Sequence, residues 1–288
     1  MTDKVQPTDD FPIRELSART QVNTVTLRAW ERRYGLLKPK RSPKGHRLYS
    51  EQDVTTIGKI LALVARGVPI GKVKPLLNDT TSPPESQDDT GSWQTLISEL
   101  LTAVESFSAT KLEHQIQQIF SSYPIQVCRE RLIDPVFIAL SQRDDQGAAF
   151  GFMENEIVRY TLMRLSAKTS QKKQTRSVTL IAGNQAPAWG LALMALELTD
   201  LDFSVYLFNR AFSVAAGIEL VTKFKDCDTV FYQDGILKEN EKKLLAEALL
   251  THERLFLCGT APVLTQFEQN KRVFGDLKSC INGLQMQQ

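Results

Sequence analysis

Residues 22–49, VNTVTLRAWERRYGLLKPKRSPKGHRLY, constrain this chain more than any other stretch, because apolar period, turn chemistry and charge all agree there. Just ahead of it, Ile13, Leu16 and Ala18 predict a short helix from Ile13 to about Arg19, followed by a turn through Thr20, Gln21 and Val22. Asn23 then reads as the N-cap of a second helix. In that helix Val25, Leu27 and Trp30 are expected to face inward, which leaves Thr24, Thr26, Arg28, Glu31 and Arg32 on the outside. Gly35 suits the left-handed residue that ends a helix, and Pro39 and Pro43 keep the next segment extended. Two helices across a tight turn make a helix-turn-helix, whose second member carries the reading residues.

Charge says what is read. Lys38, Lys40, Arg41, Lys44 and Arg47 crowd around the Gly45 turn, a density that points to a polyanion, and residues 39–49 read as a basic wing. A net charge of +2 over 288 residues conceals the asymmetry. Residues 11–78 hold 14 Lys and Arg against 4 Asp and Glu; of the chain's 35 and 33, the remainder therefore holds 21 against 29. The basic part is the expected nucleic-acid part, and duplex DNA the expected partner.

The candidate DNA contacts are Asn23, Thr24, Thr26, Arg28, Arg32, Arg33, Arg41, Lys44, His46, Arg47 and Tyr49. Arg28 can be bidentate to a guanine edge or can meet a phosphate. Thr24 and Thr26 can donate to phosphates, or simply bond the local backbone. Arg32 and Arg33 stand at a helix end, where the dipole accounts for one of them without DNA. Lys44, Arg47 and Tyr49 are expected to hold the DNA backbone from the wing, with His46 as a contact or a loop packing residue, while Trp30 belongs to the core.

Residues 1–10 read as a disordered arm and 11–78 as the DNA-binding head. Ser50, with Asp53 three residues on, opens a helix with Val54, Ile57, Ile60, Leu61 and Val64 on its apolar face, and Pro69 opens a last short one. Residues 79–92, DTTSPPESQDDTGS, lack any hydrophobic period and read as a flexible linker. From 93 to 170 the period is helical and predicts a four-helix bundle, kinked at Asp134-Pro135. From 177 to 288, SVTLIAG, FSVYLFN, TVFYQDG, RLFLCGT and a weak run at 272–274 alternate with helical stretches, which predicts a parallel Rossmann-like α/β domain. The expected fold is therefore multidomain: an all-α winged helix-turn-helix head, a bundle, and an α/β domain.

Other chemistries find no foothold in the pattern. Cys128, Cys227, Cys258 and Cys280 are far apart, without C-x-x-C, which argues for a reducing compartment and against zinc. No G-x-S-x-G, P-loop or H-E-x-x-H occurs, and Asp9-Asp10, Asp88-Asp89 and Asp144-Asp145 read as solvated loop acids, so no catalytic or metal site is expected. No apolar run approaches the roughly 20 residues that span a bilayer, and MTDKVQPTDD has no signal-peptide core; a cytoplasmic location is expected.

The order helix-turn-helix, GLLKPKR, GHRLYSEQDV and a helix with ARGVPIGKVKPLL resembles the DNA-binding domain of the MerR family of bacterial transcription regulators, over roughly residues 11 to 78. VTLRAWERRYGLLKP with GHRLY resembles its MlrA-like and CarH-like branch, since the metal sensors usually carry Tyr-Tyr where Ala29-Trp30 stands. The resemblance implies promoter DNA and RNA polymerase as partners, a homodimer or higher homo-oligomer on DNA, and action by distorting the promoter, activation rather than occlusion. The long dimerising coiled coil of many relatives is missing, so what pairs two copies is left open.

A bundle and Rossmann-like domain behind such a head are similar to the cobalamin repressors of the CarH type. Those carry Glu-x-His-x-x-Gly after the first strand, and aligned on Gly190 this chain has Gln185 and, in place of the cobalt-ligating His, Pro187. Glu154-Asn155 stands where those proteins bring Glu-His over the corrinoid, and Asp144 where they bring Trp. His46, His114 and His252 lie elsewhere, so no cofactor is expected. The lost ligand fits the MlrA-like branch, which implies a C-terminal module that senses an effector or a signalling protein. The alternative is a ligand-gated sensor or repressor still binding a cobalamin or nucleotide; a cobalamin-dependent mutase or methyltransferase ranks lowest.

Overall fold

The chain is described by a computed structural model over residues 10–78, 90–143, 147–169, 176–265, 267 and 270–286. It divides into two units, Met1–Phe150 and Gly151–Gln288.

In the first unit, Phe11–Pro12 (β1) runs directly into Ile13–Thr20 (α1), and Gln21, at φ 55, turns the chain through the left-handed region. Asn23 caps Thr24–Arg32 (α2) by accepting from Thr26 N–H at 2.8 Å. Gly35, at φ +59, follows the helix; Gly35 N–H reaches Glu31 O and Leu36 N–H reaches Trp30 O, so the carbonyls of the last turn are occupied. Lys40–Arg41 (β2) and Arg47–Tyr49 (β3) form an antiparallel hairpin across Gly45, at φ +79, and β1 pairs on the other side of β3. The head is therefore not purely helical but includes a three-stranded sheet in the order β1-β3-β2. Glu51–Ala65 (α3) begins where Asp53 accepts from Ser50 N–H at 2.8 Å. Gly67 ends that helix at φ +104, and Ile70–Asn78 (α4) follows, with Pro75 inside it.

The expected linker lies outside the described residues except for its last three, which already belong to Thr90–Glu105 (α5). Ala109–Ser122 (α6) comes next, then Ile125–Cys128 (α7), a π-helical stretch Arg129–Ile133, and Asp134–Ser141 (α8). The π-helical turn leads directly into Pro135, which sits at the first turn of α8 where no N–H is needed. Leu100, Leu112, Ile116, Phe120, Leu132 and Val136 are all buried, and α6 packs on both α5 and α2. The head thus shares one unit with these helices.

The division between units falls inside Ala148–Thr169 (α9), not at residue 170. Leu165 of α9 packs against the core of the α/β unit, and Thr161 Oγ1 meets Ala192 O at 3.5 Å. The sheet is Arg176–Gly183 (β4), Phe203–Phe212 (β5), Asp228–Tyr232 (β6), Leu255–Cys258 (β7) and Val273–Phe274 (β8), all parallel, in the order β5-β4-β6-β7-β8. The helices are Ala188–Asp200 (α10), Val214–Lys223 (α11), Glu239–Thr251 (α12), Thr260–Leu264 (α13) and Leu277–Met286 (α14). Alternate strand residues point to opposite faces, which builds two cores: Leu180, Val230 and Phe256 with α10 and α14, and Ile181, Phe231 and Leu257 with α11 and α12. Sequence reading missed α14. No helix of the described residues is long and apolar enough to cross a membrane.

Candidate nucleic-acid interface

The face of α2 is set by Trp30, which is 0% exposed and donates from Nε1 to Ser122 O at 2.8 Å. With that ring inside, the residue one turn earlier must also be inside, and it is Thr26, at 0% exposed, together with Leu27. Val25 is correspondingly 45% exposed. The expected orientation of these two is therefore reversed: Thr26 is not available to DNA, and its Oγ1 is buried without a hydrogen-bond partner. Val25 instead shares the outer stripe with Arg28 and Arg32, three and seven positions on, and both arginines are exposed. Thr24 is half-buried beside them, at the helix start. Asn23 is buried and spent on its cap.

Arg33 is exposed, with Nη1 3.5 Å from Ser121 Oγ. In the hairpin, Arg41, Lys44 and His46 are exposed, and Arg41 Nη1 donates to Gly45 O at 3.1 Å across the turn. His46 N–H donates to Ser42 Oγ at 3.1 Å, and Ser42 N–H to His46 O at 2.9 Å, so the tip is tied by its own backbone.

Arg47 behaves differently. Its Nε donates to Glu31 Oε2 at 2.6 Å, an ion pair with side chains 20% and 15% exposed, and the hydrogen bond to Glu31 raises the guanidinium pKa. Arg47 therefore locks the hairpin onto α2. Tyr49, expected to be a DNA contact, is 1% exposed; its hydroxyl has no hydrogen-bond partner, and burial pushes its pKa up to about 12. It is a core residue because β3 alternates and the same face that carries Tyr49 carries Arg47 toward α2.

The structure thus gathers Val25, Arg28, Arg32 and the hairpin cations on the outside of the head, and removes Thr26, Tyr49 and Asn23 from it. Val25 was overlooked by pattern reading, although its spacing of three from Arg28 carried the information.

The α/β unit offers a second place to look, the carboxyl ends of β4 and β6, where the strand order reverses. Gly183 ends β4, and a Cβ there would stand 1.6 Å from Gln233 Oε1. Gly235, at φ +81, is covered in the same way by Gln185, whose Oε1 would lie 1.7 Å from a Cβ. Tyr232 OH donates to Asp234 Oδ2 at 2.8 Å, and Asp234 Oδ1 accepts from Thr260 N–H at 2.8 Å. Two side-chain amides, Gln233 and Gln185, thus stand against the glycines at this edge.

Of the positions aligned with cobalamin ligands, Pro187 is the N-cap of α10 and has no coordinating atom. Gly190 sits under Leu277 and Tyr232, and Glu154 Oε1 accepts from Trp189 N–H at 3.3 Å. Asn155 Nδ2 donates to Glu156, and Asp144 lies outside the described residues. Among the described residues no group of three His, Cys, Asp or Glu could hold a metal ion. The residues at this edge do not fit a corrinoid bound through a protein imidazole.

Residues 11–80 match the model of the MerR HTH family regulatory proteins. The chain is 31% identical over 175 residues to the HTH-type transcriptional regulator MlrA of Escherichia coli K12, covering 60% of this chain and 69% of that protein. It is 24% identical over 200 residues to the HTH-type transcriptional repressor CarH of Myxococcus xanthus, covering 66% of this chain and 67% of that one. A monomethylamine corrinoid protein of Methanosarcina barkeri overlays 67% of this chain and 99% of its own, with a TM-score of 0.45 and 8% identity. MlrA and CarH are regulators of transcription by name, and with the match of residues 11–80 they make this chain a member of the MerR family of transcriptional regulators.

Proposed function

We propose that α2 enters the major groove of a promoter and reads it through Arg28, with Val25 against a thymine methyl and Arg32 beside them. Thr24, Arg33, Arg41, Lys44 and His46 meet phosphates, the first two from α2 and the others from the hairpin, which reaches the backbone alongside the groove. The observation that carries this reading is the exposed stripe of Val25, Arg28 and Arg32, flush with a hairpin that Arg47 holds against the same helix. Two heads on one site bend and untwist it so that RNA polymerase can use the promoter, and the protein acts as an activator in a homodimer or larger homo-oligomer.

The α/β unit serves as a module that senses an effector or a signalling protein without a corrinoid. The absence of an imidazole at Pro187 and the amides of Gln185 and Gln233 that stand against the glycines there support that reading. One observation favours a ligand-gated variant: Gln233 is 5% exposed and its Oε1 is buried without a hydrogen-bond partner, which suits a small ligand that presents an N–H donor, such as a nucleobase. A ligand-dependent rise in melting temperature with a panel of free nucleotides would support that variant.

Footprinting the full-length protein on genomic fragments tests the main proposal. A protected stretch that is lost on Arg28→Ala supports it; equal affinity for every fragment, changed by salt alone, overturns it.

A further inference from the structure

Nothing in the local sequence of α6 suggests a part in DNA recognition, yet its last residues hold the head at two places. Ser122 O accepts from Trp30 Nε1, and Ser122 Oγ lies 3.2 Å from Tyr34 OH, which donates to it. Ser122 is buried, and Trp30, 92 residues earlier in the chain, is fully enclosed. The next residue reaches the other side of the head. Tyr123 OH accepts from Ile70 N–H at 3.2 Å, at the start of α4, and the Tyr123 ring lies 4.9 Å from that of Trp93. Trp93 Nε1 in turn donates to Gly67 O at 3.0 Å, in the turn that ends α3.

These contacts have the chemistry of a clasp. Each satisfies a buried polar atom that has little water to fall back on, so sliding the head on α6 by an ångström or two would leave several donors and acceptors unmet together. Two of the bonded groups, Trp30 and Tyr34, are on α2 or the turn that leaves it, on the side opposite Val25, Arg28 and Arg32. What α6 fixes is therefore the tilt and height of the exposed stripe relative to the α3–α4 turn.

We infer that Ser122 and Tyr123 are positioning residues for DNA reading: they touch no base, but they hold α2 in the orientation that lets Arg28 reach one. This rests on α2 being the reading helix. A base edge is recognised only when a bidentate donor arrives in the right plane, whereas a phosphate is satisfied by a cation from many directions. Loosening the clasp therefore removes preference between sequences and leaves general attraction to DNA in place.

The experiment uses the full chain, a duplex selected by the wild-type protein from a random pool, and a scrambled duplex of the same length. Trp30→Phe removes the donor and keeps an aromatic, though smaller, side chain at this buried site; Tyr34→Phe and Ser122→Ala each remove one end of the second bond. Trp30→Phe is expected to weaken binding to the selected duplex about tenfold, with the scrambled duplex and the salt slope unchanged. Tyr34→Phe and Ser122→Ala are each expected to cost about threefold on the selected duplex, and together less than the product of the two, because they share one bond while Ser122 Oγ also donates to Gln118 O at 2.9 Å. That pair decides the matter if Trp30→Phe fails to fold. A fall in melting temperature with the selected-to-scrambled ratio at the wild-type value would overturn the inference and assign α6 a supporting role alone. Arg28→Ala in parallel separates the two levels: if it abolishes the preference while the clasp variants keep it, only the clasp is wrong, and if it leaves the preference intact, the reading helix is wrong and the clasp with it.

Discussion

Arg47 Nε donates to Glu31 Oε2 at 2.6 Å, so the basic hairpin is fastened to α2 by the one carboxylate that helix carries. The carboxylate has two opposed effects: it fixes the hairpin and it repels phosphate. Glu31→Gln is expected to raise affinity for scrambled duplexes several-fold and to steepen the salt dependence by about one unit, because Arg47 becomes available to a phosphate. The preference for the selected duplex should fall at the same time. Gel-shift titrations over a range of KCl measure both, and an unchanged slope would mean that Arg47 does not reach DNA even when released.

Arg28 and Lys44 should separate reading from holding. Arg28→Ala is expected to cost about 1 to 3 kcal/mol on the selected duplex and little on scrambled DNA. Lys44→Ala, at the exposed hairpin tip, should weaken both alike and flatten the salt slope by about one unit.

Val25 gives a prediction with a chemical control in the DNA. Replacing thymines one at a time by deoxyuridine removes only the methyl group, and one position in each half-site should lose about threefold in affinity for the wild type and nothing for Val25→Ala. A uridine scan identical for both proteins would remove Val25 from the recognition surface.

Much of this head is legible from pattern alone. Asn23 and Gly35 announce the two ends of α2, because a cap and a left-handed residue are local requirements. The alternating runs at β4, β6 and β7 announce the buried strands in the same way. The inward face of α2 is legible too, since Thr26, Leu27 and Trp30 lie on one side of a helix while Val25, two residues before Leu27, faces away; what pattern leaves out is the partner of Trp30. That partner is a backbone carbonyl, which has no letter in the sequence. Tyr49 was misjudged for the complementary reason: a tyrosine among cations looks like a contact until the strand's alternation is fixed by pairing with Phe11.

The same residue yields a stability prediction. A buried hydroxyl without a partner is a net cost, so Tyr49→Phe is expected to leave DNA binding unchanged and to stabilise the protein by roughly 1 kcal/mol. Its phenol, and that of Tyr123, are both pushed by burial up to about 12 from an ordinary value near 10. A raised folded pKa means that the unfolded chain loses its proton first as pH rises. Stability is thus undiminished by these two groups below pH about 10 and falls as pH rises toward 12. Thermal melts across that window should show a shallower decline for Tyr49→Phe than for the wild type.

The pairing of Phe11 with Tyr49 and of Pro12 with Leu48 gives the hairpin a rear anchorage. Because β1 continues without a break into α1, a push from the DNA backbone on the tip at Lys44 does not dissipate in a loose flap; it is delivered as leverage to the first helix. On the proposed binding mode the head would meet its target as a braced implement, and whatever deformation the encounter requires would fall on the duplex.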